Sequence, residues 1–239
     1  MHAFIKSLSR IAEFSLSPIS RAVRREKLTY LNVLKLRRLE RALEKLESSN
    51  VPGALLEFGV ALGGSAIILA THARRHSRQF HGFDVFATIP PPTSDKDDDK
   101  SRERFRLIAA GEAKGIDGGS YYGYEDNLLE QVKASMAHFG VPVDDANVQL
   151  HQGLFEDCWP EADINAIAFA HIDCDWYDPV AFCLAAIADR LTPGGIILLD
   201  DYNDYGGARQ AVDEFRIARG DFVFEKGINP ILRKKTRAG

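Results

Sequence analysis

The chain has 239 residues, of which 45% are hydrophobic and 27% are charged, and its formal net charge is −4. These values are typical of one globular α/β domain with some additions, and they exclude a fibrous, disordered or low-complexity chain. The first 50 residues carry 11 Lys and Arg against 5 Glu, but these charges are spread among apolar residues at helical spacing. We therefore expect a solvated helix face there, and neither a nucleic acid nor a membrane as partner.

The cysteine pattern and the N-terminal sequence both favour a cytoplasmic location. Cys158, Cys174 and Cys183 show no metal-ligand spacing, and an odd number of cysteines cannot pair fully. The apolar residues near the N-terminus are interrupted by Lys6 and Arg10, so no signal peptide is indicated, and no apolar run reaches transmembrane length. The sequence predicts a cytoplasmic protein.

Residues 1–50 are predicted to form an N-terminal helical layer. Leucines recur there at three- and four-residue steps, at Leu36, Leu39, Leu43 and Leu46. Pro18 should separate a first helix from a second. The apolar stripe needs a surface to cover, and the sequence leaves two open: the protein's own sheet, or another subunit in a homo-oligomer.

Residues 51–239 are predicted to form one Rossmann-like α/β domain. Short apolar runs separated by helical patterns indicate parallel strands at 54–58, 79–83, 147–151, 166–172 and 195–199. Two later extended segments, 221–225 and 230–232, are predicted as an antiparallel hairpin, which completes a mostly parallel seven-stranded sheet.

A long insertion, residues 86–145, separates the second and third strands. Its first half, to about residue 126, is interpreted as a mobile lid, with a disordered surface loop as the alternative. Its second half is predicted to be a helix from about Asn127 to Phe139.

The loop after the first strand is rich in glycine. Gly59, Gly63 and Gly64 would let the backbone turn tightly and approach a ligand at the carboxyl ends of the strands, and Ser65 can begin the next helix. The spacing differs from the Gly-x-Gly-x-x-Gly of dinucleotide sites. Taken alone, these glycines also fit an ordinary strand-to-helix connection.

Asp84 ends the second strand about twenty residues after the glycines, where a carboxylate can accept hydrogen bonds from both hydroxyls of a ribose. The turn and Asp84 together predict a nucleoside cofactor, without choosing between S-adenosylmethionine (SAM) and NAD.

Four aspartates follow two strands that should be neighbours: Asp173 and Asp175 after the fourth, and Asp200 and Asp201 after the fifth. Alternation along a strand would put Asp173 and Asp175 on one face, so that four carboxylates converge. Such a cluster is costly unless a cation neutralises it, and Mg²⁺ prefers oxygen ligands. The alternative is that these residues merely cap helices or face water.

Two histidines and one cysteine near these strand ends are left out of the site. His151 and His171 lie inside apolar strand patterns and are predicted to be packed side chains. Cys174 is predicted to be a small core residue without nucleophilic chemistry.

Several motifs together resemble one family. They are Leu56-Glu57-Phe58-Gly59, Gly63-Gly64-Ser65, Gly82-Phe83-Asp84, Ile172-Asp173-Cys174-Asp175, Pro193-Gly194-Gly195 and Asp200-Asp201-Tyr202. The family is that of the macrocin O-methyltransferases, class I SAM-dependent enzymes that include the mycinamicin and novobiocin-pathway sugar methyltransferases. The likeness covers residues 51–235, including the helix at about residues 208–215.

The resemblance implies a SAM- and Mg²⁺-dependent transfer of methyl to a hydroxyl of a sugar or glycosylated natural product, a small-molecule acceptor. It implies Asp173, Asp200 and Asp201 as metal ligands and Asp175 as the general base. It also implies a SAM site formed by Glu57, Gly59, Gly63, Gly64, Ser65 and Asp84, with Gly153 and Phe155 beside the adenine.

The chain departs from the family at Cys174 and Trp176, where glycine and leucine are common, so the acceptor side is expected to differ. The acidic run at residues 97–99 matches no substrate pattern. Rival hypotheses are a methyltransferase for a catechol-like or carboxylate acceptor, a non-catalytic nucleoside-binding scaffold, and an NAD-linked oxidoreductase. A catechol-type enzyme would need a lysine near Asp175, and the sequence has none there.

Overall fold

The computed structural model describes Glu13 and residues 15–236. Its centre is one seven-stranded sheet with the order β3-β2-β1-β4-β5-β7-β6. The strands are β1 Ala54–Phe58, β2 Phe80–Asp84, β3 Val148–Gln152, β4 Ile167–Ile172, β5 Leu191–Leu199, β6 Phe222–Glu225 and β7 Ile231–Lys234. Strand β7 is antiparallel to β5 and β6, and the other pairs are parallel, which confirms the predicted fold.

The described residues contain eight α-helices: α1 Pro18–Arg25, α2 Val33–Ser48, α3 Gly64–Arg75, α4 Asp99–Ala109, α5 Leu128–His138, α6 Phe155–Cys158, α7 Tyr177–Ala188 and α8 Gly206–Ala218. Short 3₁₀ turns lie at 116–118, 122–124, 159–161 and 201–203. None of these helices is long and apolar enough to cross a membrane. The predicted helix before Pro18 falls outside the described residues.

Side chains along the central strands point alternately to the two faces of the sheet, which divides the core into two layers. In β1, Leu55 packs with α2 and α3 on one face, whereas Leu56 and Phe58 pack with α7 and α8 on the other. Strands β1 and β4 are buried along their whole length, as expected for parallel strands covered by helices on both faces. This arrangement leaves the carboxyl ends of the strands as the free edge where a site can form.

Helix α2 covers its own sheet. Its four stripe leucines are buried, and the helix packs against β4 and β5. The Asn32 side chain caps its first turn by accepting hydrogen bonds from the backbone N–H of Leu34 and Lys35. Because the stripe lies on the sheet, these leucines need no second subunit; a homo-oligomer stays a prediction.

The insertion is built from α4, two 3₁₀ turns and α5. Helix α5 confirms the helix predicted at 127–139, but the sequence analysis did not predict α4. Asp98 caps α4 by accepting from Ser101 N at 2.9 Å. A small cluster of Ile108, Ala113 and Tyr121 gives this part of the insertion a core of its own. This part of the insertion thus contains regular elements in the described structure, and its role as a mobile lid stays a prediction.

Candidate active site

A cavity of about 730 Å³ lies at the carboxyl ends of β1, β2, β4 and β5, bordered by α2 and by the insertion. Seven of the site residues expected from the sequence line it: Gly59, Asp84, Phe155, Asp173, Asp175, Asp200 and Asp201. Loops that are far apart in the sequence thus meet at the edge where the topology predicts a ligand.

Three carboxylates form a compact cluster. One oxygen each of Asp173, Asp200 and Asp201 lies within 4.8 Å of the others. The sheet register produces this meeting, because Ile172 pairs with Leu199 and Asp200 N donates to Ile172 O at 2.9 Å. Asp200 and Asp201 are almost completely buried.

The electrostatics of this cluster are those of crowded anions. Burial, followed by the charges of Asp200 and Asp201, raises the pKa of Asp173 well above its ordinary value. Burial and the neighbouring aspartates raise the pKa of Asp201 in the same way. Burial also acts to raise the pKa of Asp200, but His171 and Lys35 outweigh it and lower that pKa. Nearby cations therefore favour the ionised form of Asp200, whereas burial and neighbouring carboxylates favour the protonated forms of Asp173 and Asp201.

Asp175 lines the same cavity but is not part of the compact cluster. Strand β4 ends at Ile172, so the strand alternation assumed for Asp173 and Asp175 does not extend through them. Burial raises the pKa of Asp175 to about 6, while the charge of Arg104 acts in the opposite direction. All four carboxylates thus line one cavity, as expected, but only three of them form the compact cluster.

The first residues of the glycine turn have strict steric requirements. Gly59 has φ +92°, and a Cβ there would overlap the carbonyl oxygen of Asp173. Glycine at this position therefore lets β1 end directly against the strand that carries the acidic cluster.

The Asp84 carboxylate is fixed on the cavity wall by backbone donors. Its Oδ2 accepts from Val60 N at 2.7 Å and Ala61 N at 2.9 Å, and its Oδ1 accepts from Phe86 N at 2.6 Å. Burial raises the pKa of Asp84, and these backbone hydrogen bonds act against the rise. The carboxylate thus joins the glycine turn to the end of β2 at the expected position.

Five expected cofactor residues do not line the cavity: Glu57, Gly63, Gly64, Ser65 and Gly153. Glu57 is fully buried, and its Oε1 lies 2.8 Å from His171 Nδ1. Ser65 bonds to Glu57 and does not cap α3, whose N-cap is Gly63 without a side-chain hydrogen bond.

Gly64 and Gly153 serve packing. Gly64 N donates to Leu28 O at 2.9 Å, and a Cβ on Gly64 would overlap that oxygen. Gly153 has φ +145°, and its N donates to Asp84 O at 3.0 Å. The turn therefore combines a cavity-facing part near Gly59 with a part that seats α3 against the N-terminal layer.

Lys35 also borders the cavity, although its sequence position did not predict a site residue. Its Nζ lies 2.7 Å from Asp200 Oδ2 and 2.8 Å from Asp204 Oδ2. Burial acts to lower the pKa of Lys35, but Asp200 and Asp204 raise it well above the ordinary value. No local signal marks this residue, because it is one of many basic residues on a helix far from the aspartates in sequence.

The two histidines set aside from the site have different surroundings. His171 is packed inside β4 as predicted, yet its Nε2 also lies 3.9 Å from Asp200 Oδ1. Burial would lower the pKa of His171, but the nearby Asp200 carboxylate and the hydrogen-bonded Glu57 carboxylate raise it to about 10. His151 lies away from the cluster, with Nε2 3.1 Å from His81 Nδ1 and its ring stacked on Phe83.

The insertion and the segments that carry Trp176 and Tyr205 form an aromatic and basic wall of the cavity. Trp176 Nε1 donates to Pro90 O at 2.9 Å, and the Trp176 ring meets Tyr205 edge-on at 5.5 Å. Arg104 on α4 lies over the Tyr121 ring, 5.3 Å from its centroid. An acceptor facing the aspartates would therefore contact rings and at least one cation.

The acidic run of the insertion, which matched no substrate pattern, caps two helices. Asp97 Oδ1 accepts from Tyr177 N at 2.8 Å, at the start of α7. Asp98 Oδ2 accepts from Gly206 N at 2.7 Å, at the start of α8. Carboxylates at helix N-termini satisfy free N–H groups and complement the helix dipole. The run thus fixes the insertion beside the cavity.

A second group of potential metal ligands, Glu47, His72 and His76, lies between α2 and α3. Arg78 already binds both Glu47 oxygens, through Nε at 3.0 Å and through Nη2 at 3.1 Å. A cation therefore neutralises this carboxylate, and we interpret the group as an ionic link between the two helices.

Comparison with known proteins agrees with this geometry. The sequence model of the macrocin-O-methyltransferase (TylF) family matches residues 25–222. The 8-demethyl-8-(2,3-dimethoxy-alpha-L-rhamnosyl)-tetracenomycin-C 4'-O-methyltransferase of Streptomyces olivaceus is 30% identical over 191 residues, which are 79% of this chain and 67% of that protein.

Solved structures show the same fold. The O-methyltransferase NovP superposes with a TM-score of 0.70 at 25% identity, over 87% of this chain and 82% of that one. The O-methyltransferase TomG from Streptomyces achromogenes, solved with SAM, has a TM-score of 0.54 at 16% identity, over 93% and 89% of the two chains. TomG supports the fold alone.

Proposed function

The chain belongs to the TylF family of macrocin O-methyltransferases, and we propose that it transfers a methyl group from SAM to a sugar hydroxyl of a glycosylated natural product with the help of Mg²⁺. The observation that carries the proposal is the compact cluster of Asp173, Asp200 and Asp201, with Asp175 in the same cavity. The rhamnosyl acceptor in the name of the Streptomyces olivaceus relative supports a sugar as substrate.

The donor atoms of the cluster fit a hard divalent cation. Among the described residues, the buried oxygens Asp200 Oδ1 and Asp201 Oδ2 have no hydrogen-bond partner, and a buried carboxylate oxygen without a partner is costly. Carboxylate oxygens are the ligands that Mg²⁺ prefers, and Mg²⁺ usually keeps open positions for water or substrate. A cation held there would lower the pKa of a bound acceptor hydroxyl by several units.

Asp84 and the turn at Gly59 would hold SAM, with Asp84 facing the ribose. Both line the cavity, and the carboxylate of Asp84 is already oriented by three backbone N–H groups. Phe155, whose ring packs edge-on against Phe58, lines the cavity where the adenine is expected. Fixed walls of this kind align the methyl carbon with the attacking oxygen, and such alignment supplies much of the acceleration in methyl transfer.

Asp175 would act as the general base. It accepts the proton of the acceptor hydroxyl while the oxygen forms a bond to the methyl carbon and the carbon–sulfur bond of SAM breaks. A lysine base of the catechol type is not supported at Lys35, because its three hydrogen bonds to Asp200 and Asp204 and its raised pKa keep it protonated. The charge of Arg104 beside Asp175 favours the ionised base.

The test is methyl transfer to rhamnosides, with SAM and Mg²⁺, followed by mass spectrometry for a product heavier by one methyl group. We expect Asp175→Asn to lower kcat about 10²- to 10⁴-fold, the range for loss of a general base. Binding of S-adenosylhomocysteine should be unchanged. Asp189→Asn, at the exposed end of α7, is the matched control and should leave turnover unaffected.

Three results would contradict the proposal. Turnover that survives EDTA unchanged would remove Mg²⁺ from the scheme, and stabilisation of the protein by NAD but not by SAM or S-adenosylhomocysteine would remove methyl transfer itself. A protein that binds SAM but methylates no glycoside would support the hypothesis of a non-catalytic nucleoside-binding scaffold.

A further inference from the structure

Lys35 has an unusual position for a surface-helix lysine. Its side chain is only 12% exposed, and its ammonium group donates to Asp200 Oδ2, to Asp204 Oδ2 and, at 3.2 Å, to Asp200 O. All three N–H bonds of the ammonium group are therefore used. They join the N-terminal helical layer to the acidic edge of the sheet.

Contacts between α2 and the β6–β7 turn hold this lysine in place. Next to it on α2, Arg38 donates to Asn229 O at 2.7 Å and to Glu225 O at 3.1 Å. Asn229 Nδ2 in turn donates to the carbonyl oxygen of Lys35 at 3.3 Å. Together with the buried leucine stripe, these contacts tie α2 to the β6–β7 turn, so the Lys35 ammonium is a fixed charge beside the cluster.

Two cations face Asp200 from different elements. Lys35 Nζ contacts Oδ2, and His171 Nε2 lies 3.9 Å from Oδ1. Asp201 and Asp173 receive no such ion pair among the described residues. Asp200 is thus the member of the cluster whose negative charge is already matched, and any further cation must share it with Lys35.

We propose that Lys35 is a built-in counter-ion of the acidic cluster, which holds Asp200 and Asp204 in position and competes electrostatically with a divalent cation for Asp200. This inference rests on the proposed metal role of Asp173, Asp200 and Asp201. A fixed positive charge a few ångströms from a dication weakens its binding, since the two repel each other across a partly buried gap. The same charge stabilises the site before the dication binds, because it offsets crowded carboxylates.

A different role for Lys35 predicts a change in metal affinity in the opposite direction. If Lys35 served only to orient Asp200 as a ligand, its removal would weaken metal binding, as loss of an outer-shell hydrogen bond commonly does. A merely structural role would lower stability and leave the metal affinity unchanged. The direction of the change in affinity therefore separates the three roles.

The experiment measures Mn²⁺ and Mg²⁺ binding to the full chain by electron paramagnetic resonance and calorimetry. We expect Lys35→Met to bind Mn²⁺ about tenfold more tightly than the wild type, from the loss of one neighbouring positive charge. Lys35→Arg keeps the charge and should restore an affinity close to that of the wild type. Lys45→Met, on the same helix but exposed and paired with Glu225 at 3.6 Å, is the control and should not change the affinity.

Thermal unfolding provides the second readout. In EDTA, Lys35→Met should melt below the wild type, and added Mg²⁺ should raise its Tm by more than it raises that of the wild type. If Lys35→Met does not fold, Lys35→Gln keeps a polar end and carries the same expectation.

The outcomes separate this inference from the proposed function. Equal or weaker Mn²⁺ binding by the neutral variants, with binding retained in the wild type, overturns the counter-ion role alone. If neither the wild type nor a folded neutral variant binds Mn²⁺ or Mg²⁺, the metal role itself is wrong and the inference fails with it. Binding that appears only in the neutral variants supports the competition.

Discussion

The carboxyl edge of the sheet and the insertion at residues 86–126 face each other across one cavity, but different kinds of contact position them. At the sheet edge, strand register places Asp173 beside Asp200, and short backbone bonds hold Asp84. In the insertion, side chains reach across the sequence, as when Asp97 and Asp98 cap the starts of α7 and α8. The positions of the acidic side chains at the strand ends are thus set by the sheet topology. The position of the opposite wall depends on individual hydrogen bonds between residues far apart in the sequence.

This difference suggests how each region responds to mutation. A change at the sheet edge should disturb several strands at once, because parallel neighbours share one plane and one register. A change in the insertion should release one contact and leave the sheet intact. The two sides of the cavity are therefore expected to differ in how much stability a single side chain controls.

Gly59→Ala is the largest expected effect. The new Cβ would overlap Asp173 O at a positive φ, so we expect a loss of about 3 kcal/mol or more, from overpacking and backbone strain together. Gly111→Ala is the matched control in the insertion: its φ is +73°, but nothing lies within 4 Å of the added Cβ. Urea unfolding of both variants measures the difference, and equal losses would mean that strain alone, without the contact to β4, explains Gly59.

Asp97→Ala tests the insertion. Loss of its hydrogen bond to Tyr177 N should cost about 1 to 2 kcal/mol, the usual range for a helix cap. It should also raise KM for the acceptor more than KM for SAM, since α4 and Trp176 border the acceptor side. Asp95→Ala, at an exposed aspartate two residues before Asp97, is the control. Similar behaviour of the two variants would contradict the capping role of Asp97.

Residues whose partners follow from chain topology could be predicted from the sequence. The strands, the glycine turn, Asp84 and the acidic doublets all follow from short local patterns, because consecutive parallel strands bring their carboxyl ends together. Sequence also placed Gly59 correctly at the cavity. It could not separate Gly59 from Gly64, because both lie in one loop and only the packing against Leu28 distinguishes them.

Residues whose partners lie on another element could not be predicted in this way. Lys35 is 165 positions from Asp200, and a basic residue on an amphipathic helix usually faces water. Helix α4 was missed because its sequence is strongly polar and only Ser101 and Ile108 are buried, so no apolar stripe marks it. The capping roles of Asp97 and Asp98 could not be predicted, because the starts of α7 and α8 lie far from them in the sequence.

The smallest expected effect concerns a pair inside the sheet that carries no proposed chemistry. His81 on β2 is buried against His151, and burial lowers the pKa of His81 to about 4, with a further contribution from the charge of His151.

Between about pH 6.5 and 4 the unfolded chain therefore binds a proton that the folded chain does not. Stability should fall as the pH is lowered through this range, by about 1 kcal/mol between pH 6.5 and 5.5 from this group alone. We expect His81→Leu to lose this part of the pH dependence in urea titrations, while His138→Leu, at the exposed end of α5, keeps it. If all three proteins lose stability equally between pH 6.5 and 5.5, the buried histidine pair does not control the acid response of the sheet.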